Sequence, residues 1–169
     1  KRYLGIEDKR MRVGFGYDIH QLKAGRPCIL GGVHIESELG PDGHSDADVL
    51  IHALMDAMLG AAGLRDIGYY FPPEDDQYKG ISSMLLLEKV NFLLKERGLQ
   101  AYNIDIMVIS ETPKLKPHID MMKSNLQSIL EIPLDRISIK ATTNEMLGAI
   151  GRREGIAAQA VVSVYEGEI

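Results

Sequence analysis

Apolar and polar residues alternate in several short segments, and this two-residue period is typical of strands with one buried face. Met11 to Tyr17 follows the period and predicts a strand that ends at Asp18. Tyr102 to Ile109 repeats the pattern, and further strands are expected at Ile137 to Ala141 and at Ile156 to Tyr165. Strands are therefore expected along the whole chain.

A β-hairpin is expected near the amino terminus. Cys28 to Leu30 and Val33 to Ile35 flank Gly31-Gly32, and glycines readily take the positive φ angles of a tight two-residue turn. The following segment, Glu36 to Gly43, is polar and contains glycine and proline, so it is predicted to be a loop.

Apolar residues that recur every three or four positions predict three helices. Ser45 is the expected N-cap of the first helix, which ends near Gly63. The second runs from about Ser82 to Arg97, and the third lies between Ile119 and Leu130. Strands that alternate with helices favour an α/β chain, here an α+β sandwich with helices packed on one face of a mixed β-sheet.

Three segments follow neither period. Arg65 to Gly80 is long enough to be a functional loop, and the prolines of Thr112 to Pro117 predict another loop. Thr142 to Asn144 supplies capping side chains for one short helical turn through Leu147, which Gly148 would stop.

Composition limits the class of protein. With 169 residues, 45% hydrophobic and 25% charged, the chain is typical of one compact domain, and residues 11–169 are predicted to form a single catalytic domain. Residues 1–10 are charged and unlike a signal peptide. They are interpreted as an N-terminal extension or tag remnant, with the stump of a targeting segment as a further alternative. Cys28 has apolar neighbours and is expected to be buried.

The charge balance argues against two kinds of partner. Nineteen Lys and Arg against 24 Asp and Glu give a formal charge of −5, which disfavours electrostatic binding to nucleic acid or anionic lipid. No apolar run approaches the roughly 20 residues of a membrane span. We expect no nucleic acid and no membrane partner, and a cytoplasmic location, or a plastid-type organelle if the amino terminus is a trimmed targeting segment.

Three residues form a candidate metal site. Asp18 and His20 lie one pleat apart on the first strand, so their side chains point to the same side, and His52 lies on the first helix. Two imidazoles and one carboxylate suit zinc and leave a fourth position for water or substrate. Asp56, one turn beyond His52, is placed to accept the second ring proton of that histidine. The spacing alone also fits ordinary exposed residues.

Two helix starts are candidate anion sites. His44 and Ser45 precede the first helix, where free N–H groups and the helix dipole attract phosphate, although Ser45 could serve only as a cap. Thr143 and Glu145 repeat the arrangement, with Glu145 suited to Mg²⁺ or simply to the dipole. Arg152 lies in a glycine-bounded loop and offers a guanidinium group for phosphate.

The chain closely resembles the 2-C-methyl-D-erythritol 2,4-cyclodiphosphate synthase family of the non-mevalonate isoprenoid pathway. The matching segments run in family order across Met11 to Tyr165. They are Arg12 to His20, His44 to Val49, His52 to Ala57, Asp66 to Gly68, Pro113 to Leu115, Lys140 to Glu145, and Gly151-Arg152.

The resemblance implies a homotrimer with active sites between neighbouring subunits. In this family the 2-phosphate of a cytidine diphosphate conjugate of methylerythritol attacks the β-phosphorus, closes a cyclic diphosphate and expels CMP. Carried over, Asp18, His20 and His52 would hold zinc, and Glu145 would hold Mg²⁺ or Mn²⁺ on the diphosphate. The resemblance gives transition-state stabilisation to His44 and Thr143, and it implies an apolar central channel that binds isoprenoid diphosphates.

The resemblance also implies a set of substrate contacts. They are Asp18, His20, His44, Ser45, Asp56, Asp66, Ile67, Gly68, Phe71, Asp75, Ser110, Glu111, Thr112, Pro113, Lys114, Leu115, Lys116, Thr142, Thr143, Asn144, Glu145, Ala149 and Arg152. The chain departs from the family pattern at Pro73, Ala149 and Arg153, near the substrate lid and the channel. Fusion to a cytidylyltransferase is a further arrangement that the resemblance leaves open.

Two other functions share parts of this pattern. A zinc-dependent phosphohydrolase would use the same three metal ligands but admit water to the open position. A non-catalytic nucleotide-binding module would keep the scaffold without the reaction. The reaction products separate these alternatives.

Overall fold

The structure is a computed structural model that describes residues 11–167. The interpretations made for residues 1–10 lie outside the described residues. The strands are β1 (Met11–Ala24), β2 (Cys28–Leu30), β3 (Val33–Ile35), β4 (Leu39–Asp42), β5 (Leu99–Ile109), β6 (Ile137–Thr142) and β7 (Gly155–Glu166). The helices are α1 (Val49–Ala61), α2 (Ile67–Tyr70), α3 (Ser83–Lys95), α4 (Ile119–Leu130) and α5 (Gly148–Gly151). Single 3₁₀ turns lie at Asp76–Tyr78, Lys116–His118 and Leu134–Arg136.

Five strands form one mixed sheet in the order β4-β1-β7-β5-β6. Strand β7 is antiparallel to both of its neighbours, β1 and β5, whereas β5 and β6 are parallel. Strands β2 and β3 form the separate hairpin that was predicted, and both of its turn residues, Gly31 and Gly32, have positive φ. The predicted mixed sheet and early hairpin are therefore confirmed.

Helices cover one face of the sheet, as predicted, and the core lies between them and that face. Helix α1 packs very close to β1, because the strand has glycine at the two positions that face the helix. A Cβ atom on Gly14 would overlap the carbonyl oxygen of Ala57, and one on Gly16 would overlap that of Ala53. Because the helix and the strand are so close, His52 of α1 lies beside Asp18 and His20 of β1.

The opposite side of β1 presents a row of exposed apolar side chains. We call this row, with one residue from β7, the open sheet face. Its members are Met11, Val13, Phe15, Tyr17, Ile19 and Val161. No helix among residues 11–167 has the length and apolar character needed to cross a membrane.

Two strand predictions were wrong in extent. Strand β1 does not end at Asp18 but continues to Ala24, because its second half pairs with β7 as far as Gln21. The segment from Glu36 to Gly43, predicted to be a loop, contains the short strand β4, whose four residues pair with the end of β1. Local polarity concealed a strand that only long-range pairing stabilises.

The predicted N-cap of α1 was also wrong. Ala47 has a left-handed φ of 57°, which prevents helical geometry at this residue. The helix therefore begins after Asp48 rather than after Ser45. The Asp48 carboxylate accepts hydrogen bonds from the backbone N–H groups of Gly31, Gly32 and Ile51. Burial raises the pKa of Asp48 to about 6.

The short helical turn predicted from Thr142 through Leu147 does not form. Strand β6 extends through Thr142, and both Glu145 and Met146 have positive φ, which a helix excludes. Gly148 therefore begins α5 instead of ending a helix. The segment predicted as a loop from Arg65 to Gly80 contains α2 and one 3₁₀ turn, but is otherwise irregular.

Candidate active site

The three predicted metal ligands converge. Asp18 and His20 project from β1 toward the helix face, and His52 faces them from the first turn of α1. Asp18 Oδ2 lies 2.9 Å from His20 Nε2 and 3.1 Å from His52 Nδ1, and the two histidine nitrogens are 3.1 Å apart. Within residues 11–167, these side chains form a group whose ligand atoms all lie within 4.8 Å of one another.

The electrostatics of this cluster favour a cation. Burial opposes ionisation of Asp18, but hydrogen bonds from His20 and His52 hold its pKa well below the ordinary value. Burial likewise opposes the charge on His20, yet the hydrogen bond to Asp18, the charge of that carboxylate and the hydrogen bond to the Asp42 carbonyl together outweigh it and raise the pKa of the imidazole. The carboxylate thus requires positive charge beside it, and a divalent cation meets the same requirement.

The outer nitrogens of both histidines are held by oxygen atoms. His20 Nδ1 lies 2.9 Å from the carbonyl oxygen of Asp42, and His52 Nε2 lies 3.0 Å from Ser83 Oγ and 3.1 Å from Ser45 Oγ. Metal-binding histidines are usually held in this way, with one nitrogen on the metal and the other hydrogen-bonded. The donor set and its supports therefore fit a zinc ion.

The sequence interpretation of Asp56 as the partner of His52 was wrong. Its Oδ1 atom accepts a hydrogen bond from the backbone N–H of Ile67 at 2.8 Å. This bond joins α1 to the start of α2, which lies beside the cluster. Burial raises the pKa of Asp56. The carboxylate of Asp66 makes no capping hydrogen bond at α2, although Asp66 occupies its N-cap position.

A cavity of about 240 Å³ opens next to the metal cluster. It is lined by His20, His44, Ser45, His52, Ile67, Gly68, Phe71, Pro73, Tyr78 and Leu86. His44 Nε2 lies 3.3 Å from the carbonyl oxygen of Asp75, so the loop between α2 and α3 is hydrogen-bonded to the segment before α1. Seven of these lining residues were predicted site residues.

A second cavity, of about 190 Å³, lies where β5 and β6 end. It is lined by Ser110, Pro113, Lys114, Leu115, Lys116, Ala141, Thr142 and Thr143. The Glu111 carboxylate accepts hydrogen bonds from the backbone N–H groups of Asn144 and Met146, at 2.9 and 3.2 Å. Thr143 Oγ1 lies 3.3 Å from Glu145 Oε1, on the same loop. The peptide bond between Thr112 and Pro113 is cis.

The two cavities lie at the same end of the sheet but not side by side. Strand register places Ile19, Ala157, Ile109 and Thr142 in one transverse row from β1 to β6. Three strand spacings separate the ends of this row, about 14 Å in all. Within one chain, the metal cluster and the second cavity are therefore separate. We call the cluster with its adjoining cavity the first half-site and the second cavity the second half-site.

Ala149 lies in α5 and Arg152 directly follows this helix, in the segment that connects β6 to β7. The Arg152 guanidinium pairs with Glu154 at 2.7 Å, and the pKa of Arg152 is raised by that carboxylate. The side chains of Arg152 and Glu154 are both exposed. Neither Ala149 nor Arg152 lines either cavity.

Sequence reasoning missed several residues of the first half-site. Pro73, Tyr78 and Leu86 line its cavity, and Ser83 contacts His52. Ser83 stands at the start of a predicted helix, where a serine is expected as a cap. Its contact with a histidine 31 positions earlier has no local signal in the sequence.

The fold and the cluster together define a class: a mixed-sheet α+β protein with an Asp-His-His cluster suited to bind a metal beside a cavity, and a separate loop pocket at the same sheet end. The comparisons with known proteins specify this class further. A family model described as the YgbB family matches residues 11–165. The chain belongs to this family.

Relatives from several organisms carry the same name. This chain is 59% identical over 152 residues to 2-C-methyl-D-erythritol 2,4-cyclodiphosphate synthase of Synechococcus elongatus, covering 90% of this chain and 95% of that protein. It is 55% identical over 156 residues to the protein of that name from Halothermothrix orenii, covering 92% of this chain and 94% of that protein. The resemblance read from the sequence is therefore confirmed.

Solved structures show the same fold. The bifunctional IspDF of Campylobacter jejuni matches with a TM-score of 0.91 and 42% identity, over 95% of this chain and 44% of that one. The CDP complex of IspF from Plasmodium falciparum matches with a TM-score of 0.82 and 32% identity, over 94% and 97% of the two chains. The α+β fold is thus that of the IspF structures.

Proposed function

We propose that this protein converts 4-diphosphocytidyl-2-C-methyl-D-erythritol 2-phosphate into 2-C-methyl-D-erythritol 2,4-cyclodiphosphate and CMP. Family membership and the extended identity to the Synechococcus elongatus synthase support this activity. The structural observation that carries it is the convergence of Asp18, His20 and His52 beside a cavity. The reaction belongs to the phosphorus–oxygen lyases.

The first half-site is proposed to hold the methylerythritol phosphate end of the substrate. A zinc ion bound by the Asp18, His20 and His52 side chains would supply positive charge and Lewis acidity to phosphate oxygens. His44 and Ser45 line the same cavity and offer donors to the phosphate, with His44 stabilising the charge of the transition state.

Several neighbouring groups would complete this half-site. Asp56 accepts a hydrogen bond from the backbone N–H of Ile67. The residues proposed to bind the methylerythritol unit are Asp56, Asp66, Ile67, Gly68, Phe71 and Asp75.

The second half-site is proposed to hold the cytidine diphosphate end. The residues of 110–116 would surround the nucleoside, and Lys114 would add charge near the phosphates. Thr143 would stabilise the transition state, while Glu145, exposed on the loop braced by Glu111, would bind Mg²⁺ or Mn²⁺. Thr142, Asn144, Ala149 and Arg152 are proposed as flanking contacts.

The proposed bond exchange needs no general base. An oxygen of the 2-phosphate attacks the β-phosphorus, and the bond from that phosphorus to the bridging oxygen breaks, so that CMP leaves with that oxygen. The attacking phosphate is already ionised near neutral pH. The protein must therefore align two anionic groups and neutralise their charge, rather than remove a proton.

We infer that the complete active site forms between subunits of a homotrimer. Within one chain, the strands that contribute to the two half-sites, β1 and β6, are about 14 Å apart, estimated as three strand spacings. The open sheet face supplies apolar surface on the side of the sheet that the helices leave uncovered. An isoprenoid diphosphate in a central channel and a cytoplasmic location complete this proposal.

Phosphorus NMR of a reaction with the cytidine conjugate tests the function. Cyclic diphosphate and CMP in equal amounts support it, and loss of both products in His52→Ala links them to the metal cluster. Release of orthophosphate would instead indicate a phosphohydrolase, and binding without turnover would indicate a nucleotide-binding module. Zinc analysis of the purified protein tests the identity of the metal.

A further inference from the structure

Behind His52, on the side away from the metal cluster, two polar residues connect the imidazole to a carboxylate. Ser83 Oγ lies 3.0 Å from His52 Nε2 and donates its proton to Asp46 Oδ1. The other carboxylate oxygen, Asp46 Oδ2, accepts from the backbone N–H of Ser83 at 2.8 Å. We call Asp46 and Ser83 the serine relay. Ser83 is fully buried, so water does not compete for its hydroxyl group.

The relay has a direction, because a serine hydroxyl carries a single proton and an ionised carboxylate can only accept. The Ser83 proton is committed to Asp46, which leaves an oxygen lone pair facing His52 Nε2. That nitrogen must then carry a proton in order to form a hydrogen bond. In the neutral imidazole that a metal ion would require, the lone pair is consequently on Nδ1, the atom that faces Asp18 and His20.

A second hydroxyl near His52 does not make this choice. Ser45 Oγ lies 3.1 Å from the same Nε2 atom, but a serine oxygen can act either as donor or as acceptor. The carboxylate of Asp46 is what removes the ambiguity for Ser83. His20 is fixed in a comparable way, because its Nδ1 faces the carbonyl oxygen of Asp42, which can only accept.

We propose that Asp46 and Ser83 are positioning residues that hold His52 with its proton on Nε2 and thereby set the metal affinity of the cluster. The proposal rests on the proposed function for the identity of the ion as zinc. Neither Asp46 nor Ser83 lines the substrate cavities, so they act through His52 alone. The alternative is that the relay merely anchors the start of α3 to the segment before α1.

Zinc affinity and one proton resonance separate these roles. Ser83→Ala should raise the zinc dissociation constant about 10- to 100-fold, measured by competition with a chelator, because the tautomer that binds metal loses its support. In the zinc-loaded, histidine-labelled protein, the Nε2 proton of His52 should shift and exchange faster with solvent. The resonance is assigned by its absence in His52→Ala.

Ser82→Ala is the matched control. It removes the neighbouring hydroxyl, which is exposed and caps the same helix by accepting from the backbone N–H of Met84 at 3.3 Å. Zinc affinity and the His52 proton should be unchanged in this variant. An equal loss of affinity in Ser82→Ala and Ser83→Ala would overturn the proposal in favour of helix anchoring.

Asp46→Asn provides a second variant that keeps the shape of the side chain. The amide would donate to Ser83 Oγ, turn the serine proton toward His52 and favour the tautomer that blocks Nδ1, so zinc affinity should again fall about tenfold or more. Affinities within twofold of the unaltered protein and an unmoved resonance would overturn the proposal. If Ser83→Ala does not fold, Asp46→Asn decides alone.

The outcome is independent of the reaction. A relay that controls zinc affinity in a protein that does not form the cyclic diphosphate would overturn the proposed function and leave this inference standing. Normal turnover with unchanged zinc affinity in both relay variants would overturn this inference and leave the proposed function standing.

Discussion

Gly14 lies directly beneath the backbone carbonyl of Ala57, with no space between them for a side chain. The contact fixes the distance between β1 and α1, which carry the three converging candidate metal ligands. A strand residue that is itself chemically inert therefore couples stability to the geometry of this cluster.

Replacing Gly14 by alanine should lower the free energy of unfolding by about 3 kcal/mol, because the added methyl group must displace the backbone of α1. Zinc affinity should fall as well, since His52 moves with the helix. Chemical denaturation and chelator competition measure the two effects. Gly60→Ala is the control: a Cβ on this helical glycine would come no closer than 4.0 Å to its nearest neighbour, the carbonyl oxygen of Phe15, so alanine should be neutral or stabilise by up to about 1 kcal/mol. Equal effects at both positions would contradict the packing argument.

Asp48 should make the metal-free protein less stable as pH rises. Its pKa of about 6 in the folded state exceeds the ordinary value of 3.8, so between these values the folded protein binds more protons than the unfolded chain. The stabilisation is present in full below pH 3.8 and is lost as pH rises through 6. Denaturation curves at pH 5 and 7.5 measure the loss.

Asp48→Asn provides the comparison for this pH dependence. The amide cannot ionise, so the unfolding free energy of the variant should fall less between pH 5 and 7.5. The comparison also cancels the contribution of His20, whose raised pKa acts in the same direction. Parallel pH profiles for the two proteins would rule out Asp48 as the source of the pH-dependent loss of stability.

Metal removal should lower the melting temperature. A ligand that binds only the folded state stabilises it by about 2.7 kcal/mol at a concentration 100 times its dissociation constant. A chelator should therefore reduce the melting temperature by several degrees, and added zinc should restore it. His20→Ala should abolish this response, whereas His34→Ala, on the exposed side of the β2–β3 hairpin, should retain it. A persistent response in His20→Ala would place the metal elsewhere.

Phe15→Glu should dissociate the proposed trimer and abolish turnover. The side chain belongs to the open sheet face, where a carboxylate could not be buried against another subunit without a large desolvation cost. Phe92→Glu is a closely matched control, because both phenylalanines are 61% exposed but Phe92 lies on the outer surface of α3. Sedimentation should show a smaller species for Phe15→Glu only. An active trimer of Phe15→Glu would disprove the assigned interface.

Much of this architecture was predictable because the evidence was local. The alternation around Phe15 and the helical spacing around Leu54 correspond to a strand and a helix in the structure. The Asp18 and His20 pair was found because residues two apart on a strand share a face. The three candidate metal ligands could be named before any contact was known.

The parts that failed depend on distant pairing or on backbone angles. Strand β4 exists because it pairs with the end of β1, which its own polar sequence does not indicate. The true N-cap, Asp48, was missed because the left-handed backbone at Ala47 has no signal in side-chain polarity. Ser83 was missed for a similar reason, since only the tertiary fold brings it to His52.

The carbonyl oxygen that faces His20 belongs to Asp42, at the end of the edge strand β4. Shortening or lengthening the connection between the hairpin and α1 would slide this oxygen away from the imidazole. An insertion in that connection would therefore disturb the orientation of His20, a candidate metal ligand that lies more than twenty positions away in the chain.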